Sequence, residues 1–357
     1  MHMADALLAP AAAAAMYACS GTAAVLSAHK LRKEENPQKL PTMAVTAALV
    51  FAGQMINYTI PGTGSSGHLC GGMLLSALLG PQAGFLSMIV ILTIQCLFFA
   101  DGGLLALGAN VWNMAFYGCF AGYYLIWRPI LGSRLFASMG EKAAQRARIV
   151  LASILGSVLS LQLGAFSVVL ETSLSGITEL PFGAFVLLMQ PIHLAIGLIE
   201  GLITAAVLVF VYQSRPELLQ DVDAADSGGP AKRSLGTTLM ILAIVAAVVG
   251  GGLSLTASSN PDGLEWALFG NAQAGYSENM GLDEESFGLS SGASQAAGAI
   301  QEATAVLPDY AFPDSESPAG TTVSGLVGSA MVAGAAALIC VAGGFFRKRK
   351  ANAAQGK

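Results

Sequence analysis

Two imidazoles and one chain end carry the chemistry that this sequence is equipped to do. His2 stands beside the α-amine of Met1, and His68 lies in a glycine-rich turn, Pro61-Gly62-Thr63-Gly64-Ser65-Ser66-Gly67-His68. An α-amine, the amide and imidazole of residue two, and a second imidazole can close a square of nitrogens around one divalent cation. Nickel, copper and cobalt favour nitrogen donors, and planar nitrogen sites suit nickel and copper most. Such donors must lose protons to bind, so affinity is expected to rise with pH. The plainer alternative is an ordinary first residue followed by His, with a loop histidine bonded to a carbonyl. The residues alone leave both open.

Further polar residues stand in apolar surroundings. Asn110 and Asn113 are one helical turn apart, so both amides can point the same way and orient the metal-binding histidines; bonds between neighbouring helices are the alternative. His193 and Glu200, seven residues apart in an apolar helix, share a face, and ionisable groups at membrane depth are usually functional or paired. A coupling surface, an internal polar pair and plain structural bonding all fit them. Gly197 and Gly201 form a small-xxx-small pair on that helix, suited to close packing. Asp101 reads as a cap for the helix that follows. The scattered methionines Met43, Met55, Met73 and Met88 read as core. The five cysteines stand singly, without any C-x-x-C pair, and read as small buried hydrophobes.

These residues must be held by a membrane protein. Hydrophobic residues make up 54% of the 357 and charged ones 11%, with mean hydropathy +0.63. A soluble domain carries about 25% charge. No basic stripe interleaved with aromatics supports nucleic-acid binding. Lys30, Arg32 and Lys33 follow the first apolar run instead of preceding it, the reverse of a secretion signal. Met1 is therefore expected to be the mature terminus, a bulky second residue protecting it from removal.

Apolar runs near the length of a membrane helix occur at about 8–29, 41–59, 83–101, 104–127, 148–171, 182–212, 236–256 and 322–346, with a shorter one at 69–81. Counting the short one gives nine segments, seven before residue 213 and two after residue 235. With the N-terminus outside, the basic clusters at Lys30–Lys39, Arg128–Arg148, Arg215 with Lys232 and Arg233, and Arg347–Lys350 all fall in the cytoplasm, and so does the C-terminus. Between Arg233 and Arg347 there is no Lys or Arg, which places the loop 257–321 outside. The expected organisation is a domain at 1–212, a flexible cytoplasmic linker at 213–235 and a two-helix domain at 236–357. Residues 270–320, rich in Gly, Ser, Ala and acids, are expected to be poorly ordered.

The start Met1-His2-Met3-Ala4-Asp5-Ala6-Leu7, the Pro61–His68 turn with Gly71-Gly72, Asp101-Gly102-Gly103, the Leu107–Met114 stretch and His193–Gly201 together resemble the CbiM/NikM permeases of cobalt/nickel energy-coupling-factor (ECF) transporters. The resemblance covers most of residues 1–212. Asn260-Pro261-Asp262-Gly263-Leu264-Glu265-Trp266 resembles the small accessory subunit of the same systems, fused here in one chain as in NikMN-type proteins. The resemblance implies an all-α polytopic fold, a seven-helix substrate-binding bundle plus a two-helix domain with an outer loop. It implies capture of Ni²⁺ or Co²⁺ outside a bacterial cell membrane, the metal held by Met1, His2 and His68, with no cofactor beyond the transported ion. The implied partners are a transmembrane coupling (T) subunit and two ATP-binding cassette ATPases. The sequence has no G-x-x-x-x-G-K-[ST] loop of its own, and it reads as a transport subunit, not an enzyme. Two other classes stay open. A membrane metalloenzyme needs a general base, and no carboxylate lies near His68 in sequence. A proton-coupled secondary transporter would use His193 and Glu200 as a relay, with an internal inverted repeat that is not seen.

Overall fold

The computed structural model describes all residues except 35, 37, 178–179, 223–232, 273–274, 277–290, 314, 316 and 356–357, and no side chains at 340 and 342–357. Its first unit comprises α1 (Pro10–Leu31), α2 (Lys39–Gln54), a hairpin of β1 (Tyr58–Ile60) and β2 (Ser65–Gly67), α3 (Gly72–Leu79) and α4 (Pro81–Phe99). Next comes a composite rod of α5 (Leu107–Asn110), a π-helical stretch (Val111–Trp127) and α6 (Arg128–Leu131), then α7 (Glu141–Ser175) and α8 (Phe182–Ser214). The second unit comprises α9 (Leu235–Gly251), α10 (Gly263–Phe269), α11 (Gly292–Thr304) and α12 (Ala319–Gln355).

Six helices are long and apolar enough to cross a membrane: α1, α4, α7, α8, α9 with the turn after it, and the Ala319–Ile339 part of α12. The other three expected segments are built differently. α2 has 16 residues and α3 only 8. α3 meets α4 at Gly80, whose φ of 81° is followed by Pro81 at the first helical position. That sharp bend follows because proline needs no amide partner there and glycine tolerates positive φ. The third, the rod at 107–131, hydrogen-bonds mostly in the wider i→i+5 pattern, which is usually confined to short stretches at functional sites.

α7 and α8 form the longest helix pair. A Cβ on Gly197 would stand 2.9 Å from the Val158 Cα, and one on Gly201 would stand 2.5 Å from the Ile154 Cα. The two helices touch backbone to backbone, as small-residue pairs allow in lipid. Replacing Gly201 with Leu is expected to destabilise the bundle by about 1–3 kcal/mol, the usual cost of overpacking, read as a lowered unfolding temperature in detergent. An unchanged transition would show that the contact is dispensable.

Two expectations about irregular segments are corrected. The linker at 213–235 is not free at its start. Gln220 donates from its amide to the Ala77 carbonyl at 2.8 Å, Trp127 Nε1 donates to the Gln220 carbonyl at 3.0 Å, and Leu218, Leu219 and Val222 are buried. Its middle, 223–232, lies outside the described residues. The loop at 270–320 is also partly built. Ser291 caps α11 by accepting from the Ser294 amide. Gln301 of α11 donates to the carbonyls of Cys96 at 2.9 Å and Gly102 at 2.7 Å. Its span 277–290 lies outside the described residues.

Candidate metal centre

The first nine residues run into the bundle. Met1 is 5% exposed, and Met3, Leu7 and Leu8 are buried. The apolar side chains drive this entry, and backbone bonds fix its register. Asn110 Oδ1 accepts from the Met3 amide at 2.8 Å, and the Met3 carbonyl accepts from Asn110 Nδ2 at 3.1 Å and the Gly103 amide at 2.9 Å. Asp5 accepts from the Ala106 amide at 3.0 Å. Asn113 donates to Glu171 at 2.8 Å and to the Met3 sulfur at 3.6 Å. The two asparagines hold the N-terminal segment by Met3, and their hydrogen bonds among the described residues run to Met3 and Glu171, not to the imidazoles. Glu171, which completes this clamp from α7, is not singled out by the sequence reading, although an acid at the end of an apolar helix is itself a signal.

That segment delivers His2 to His68. Their rings stack with centroids 5.3 Å apart and planes 20° from parallel. Metal–imidazole bonds of about 2.0–2.1 Å imply centroid separations of about 4.5 Å for adjacent ligands and about 6.4 Å for opposite ones, so the observed spacing fits one shared ion once the planes open. His68 Nδ1 donates to the Leu69 carbonyl at 2.9 Å, leaving Nε2 as the lone-pair nitrogen. The loop carrying His68 is fixed from α8, where Glu200 accepts from the amides of Cys70 at 2.7 Å and Gly71 at 3.0 Å. His193 bonds instead to the Met189 carbonyl at 2.8 Å. Of the readings open for His193 and Glu200, an internal pair is not what their bonds form: each has its own partners. His193 Nε2 is buried without a hydrogen bond among the described residues, and it borders the same small cavity as Met1, His68 and Asp262.

Carboxylates that sequence spacing did not place beside His68 arrive from elsewhere. Asp262, at the N-cap of α10, accepts from the Met1 amine at 2.8 Å. Asp101, expected to cap a helix, has Oδ1 3.1 Å from His2 Nδ1 and accepts from the Tyr310 hydroxyl at 2.5 Å. His2 Nε2 is buried with no hydrogen bond among the described residues. A cavity of about 730 Å³ opens onto both imidazoles, and its lining includes Asp5, Asp101, Asp262, Glu265 and Asp309 but no Lys or Arg. Such a vestibule concentrates cations at its mouth.

Protonation follows from burial and from these neighbours. Burial works against the Met1 ammonium, but Asp262 outweighs it and leaves the amine above its ordinary 8.0. Burial would raise Asp262; the ammonium more than offsets that and holds it well below the usual carboxylate range. Burial lowers His2, opposed by Asp101. His68 is pushed down to about 4, by burial first and then by the ammonium and His2. Near neutral pH both imidazoles are therefore neutral and ready to ligate, whereas the amine must still give up its proton. Among the described residues no three His, Cys, Asp or Glu side chains are gathered closely enough to hold a metal.

Comparison with known proteins gives the family. The model "Cobalt uptake substrate-specific transmembrane region" matches residues 2–218, and the "PDGLE domain" model matches 236–343. A putative fused nickel transport protein NikMN of Archaeoglobus fulgidus is 35% identical over 337 residues, covering 93% of this chain and 95% of the relative. A cobalt transport protein CbiM of Geobacter sulfurreducens is 31% identical over 57% of this chain and 56% of the relative. A crystal structure of a transition metal transporter, 31% identical, superposes with TM-score 0.51 over 59% of this chain and 92% of its own. The relatives are named as transport proteins, none of these as an enzyme. This chain is a multi-pass membrane protein of the cobalt uptake substrate-specific transmembrane (CbiM) family, joined to a PDGLE domain.

Proposed function

We propose that this chain is the substrate-capturing membrane component of an ECF-type transporter for Ni²⁺ or Co²⁺. The metal-binding bundle is assigned to residues 1–212, and residues 236–357 form the accessory domain. The N-terminus faces outside and the C-terminus faces the cytoplasm of a bacterial cell. The ion is taken by the Met1 amine, the amide and imidazole of His2, and His68, and a coupling subunit with two ATPases drives its delivery inward. The observation that carries this reading is a buried terminal amine attached to one imidazole that stacks on another. In a chelate with its own amide, His2 uses Nδ1, so Asp101 must release that nitrogen as the ion enters. Asn110, Asn113 and Glu171 support the site by anchoring Met3, and Glu200 does so by holding the loop that follows His68.

The relay reading of His193 and Glu200 gains nothing from the geometry, because their bonds run to different parts of the protein. Metal analysis of the purified full chain, with Ni²⁺ and Co²⁺ in competition, tests the proposal. One bound ion per chain is expected; a chain that takes up neither ion contradicts it.

The protonation states set a pH dependence. With the amine raised above 8.0, metal must displace its proton throughout the neutral range, while His68, at about 4, adds no slope there. Apparent affinity is expected to rise at least about tenfold per pH unit between about pH 6 and pH 8, and more steeply if the His2 amide also deprotonates. Equilibrium dialysis across that range checks it, and a flat profile would contradict an amine ligand.

A further inference from the structure

We propose that the PDGLE domain completes the metal site through Asp262, whose carboxylate seats the Met1 ammonium beside His68 and remains as the counter-charge when a divalent cation displaces the ammonium proton to solvent and takes the amine's lone pair. This deepens the function proposed above and rests on it.

The two oxygens of Asp262 do different work. Oδ1 accepts from the amides of Leu264 at 2.8 Å and Glu265 at 2.9 Å, capping α10. Oδ2 faces the amine at 2.8 Å. The cap fixes the side chain's rotamer, so the second oxygen is aimed and its position costs the site little further ordering. The segment that carries it is sewn to the metal loop. The Ser66 amide donates to the Pro261 carbonyl at 2.8 Å, Ser66 Oγ donates to the Asn260 carbonyl at 2.8 Å, and Trp266 Nε1 donates to the Thr63 carbonyl at 2.8 Å. Gly263 closes the other side. A Cβ there would stand 3.0 Å from His193 Cε1 and 3.3 Å from Nε2, so a larger residue would crowd His193 where Asp262 comes this near.

Charge explains why a carboxylate is needed. Nitrogen donors are neutral, apart from an ionised amide, and they leave net positive charge on a buried divalent ion. An uncompensated buried charge is unfavourable, and a carboxylate already positioned beside the ammonium supplies the balance without reorganisation. Asp262 has a positive partner before loading and another after it.

The experiment uses the full chain with two substitutions and two readouts: acylation of the Met1 amine by an amine-selective reagent near neutral pH, and equilibrium affinity for Ni²⁺ and Co²⁺. Asp262→Asn keeps an oxygen for the helix cap and turns an amide NH₂ toward the amine; Asp262→Ala removes both functions. In both variants acylation is expected to accelerate about tenfold or more, and affinity to fall by about 10- to 100-fold, as for groups that support metal ligands from outside. Unchanged acylation in Asp262→Asn overturns the proposal, because Asp262 would then act only as the α10 cap. Faster acylation with unchanged affinity also overturns it, because the counter-charge would be dispensable. A wild-type chain that binds neither ion refutes metal capture itself, whereas the acylation rates still report whether Asp262 seats the amine.

Discussion

Adding a single residue before Met1 is expected to abolish tight binding of Ni²⁺ and Co²⁺. The extension converts the amine into an amide and removes one of four nitrogen donors. Structural metal sites are worth about 10–16 kcal/mol, so a quarter share is about 2.5–4 kcal/mol, or about 100- to 1,000-fold in affinity. A second cost adds to this one. Met1 is 5% exposed, and its methyl carbon lies 3.4 Å from where a Cβ on Gly164 would stand. The extra residue finds little room and leaves the Asp262 carboxylate without its ammonium. Breaking a buried pair by deleting one partner typically costs about 3–5 kcal/mol, and the 17% exposure of the Asp262 side chain places this case at the lower end. Isothermal titration of the extended and native chains checks the effect, and equal affinities would exclude the amine.

His68→Ala is expected to lower affinity by a similar about 100- to 1,000-fold for the loss of one donor, with the fold kept. The local contacts explain the second half of that expectation. Among the described residues the His68 ring hydrogen-bonds to the next residue's carbonyl and stacks on His2, while its loop is held independently by Glu200 on the Cys70 and Gly71 amides and by Ser66 on Pro261. Unfolding temperature should therefore hardly move while metal binding collapses. A variant that keeps its affinity would remove His68 from the site, and one that unfolds would show that its role is structural.

The candidate donors proposed above are legible in the sequence because the signal is local. Met1 and His2 are consecutive, and His68 sits among glycines that mark a turn. The apolar runs that position them were legible for the same reason. The carboxylates were not, because the chain brings them from afar. Asp262 reaches Met1 across 261 positions, and in sequence it stands out only as part of the Asn260–Trp266 segment that resembles the accessory subunit. Asp101 read as a cap, and turned out to face His2. Asn110 and Asn113 were correctly seen to share a face, but spacing cannot say what that face meets; it meets the Met3 backbone and Glu171.

The outer loop shows the same limit. Gly, Ser and Ala richness suggested disorder at 270–320, yet Ser291 caps a regular α11 that presses on α4. Small residues leave few contacts to forecast, but in a helix they allow close approach to a neighbour. The first residues of the linker dock for a related reason. Leu218, Leu219 and Val222 make a short apolar patch, too brief for a periodic pattern, and it finds a surface on α3 that only the folded chain presents.

The nature of the donors around the bound ion tests the central claim most directly. X-ray absorption on the Ni²⁺-loaded full chain is expected to show a first shell of nitrogen at about 2 Å, changed by blocking the Met1 amine and by His68→Ala. A shell containing sulfur, from Cys70 or a methionine, or one of oxygens alone that ignores both changes, would contradict it.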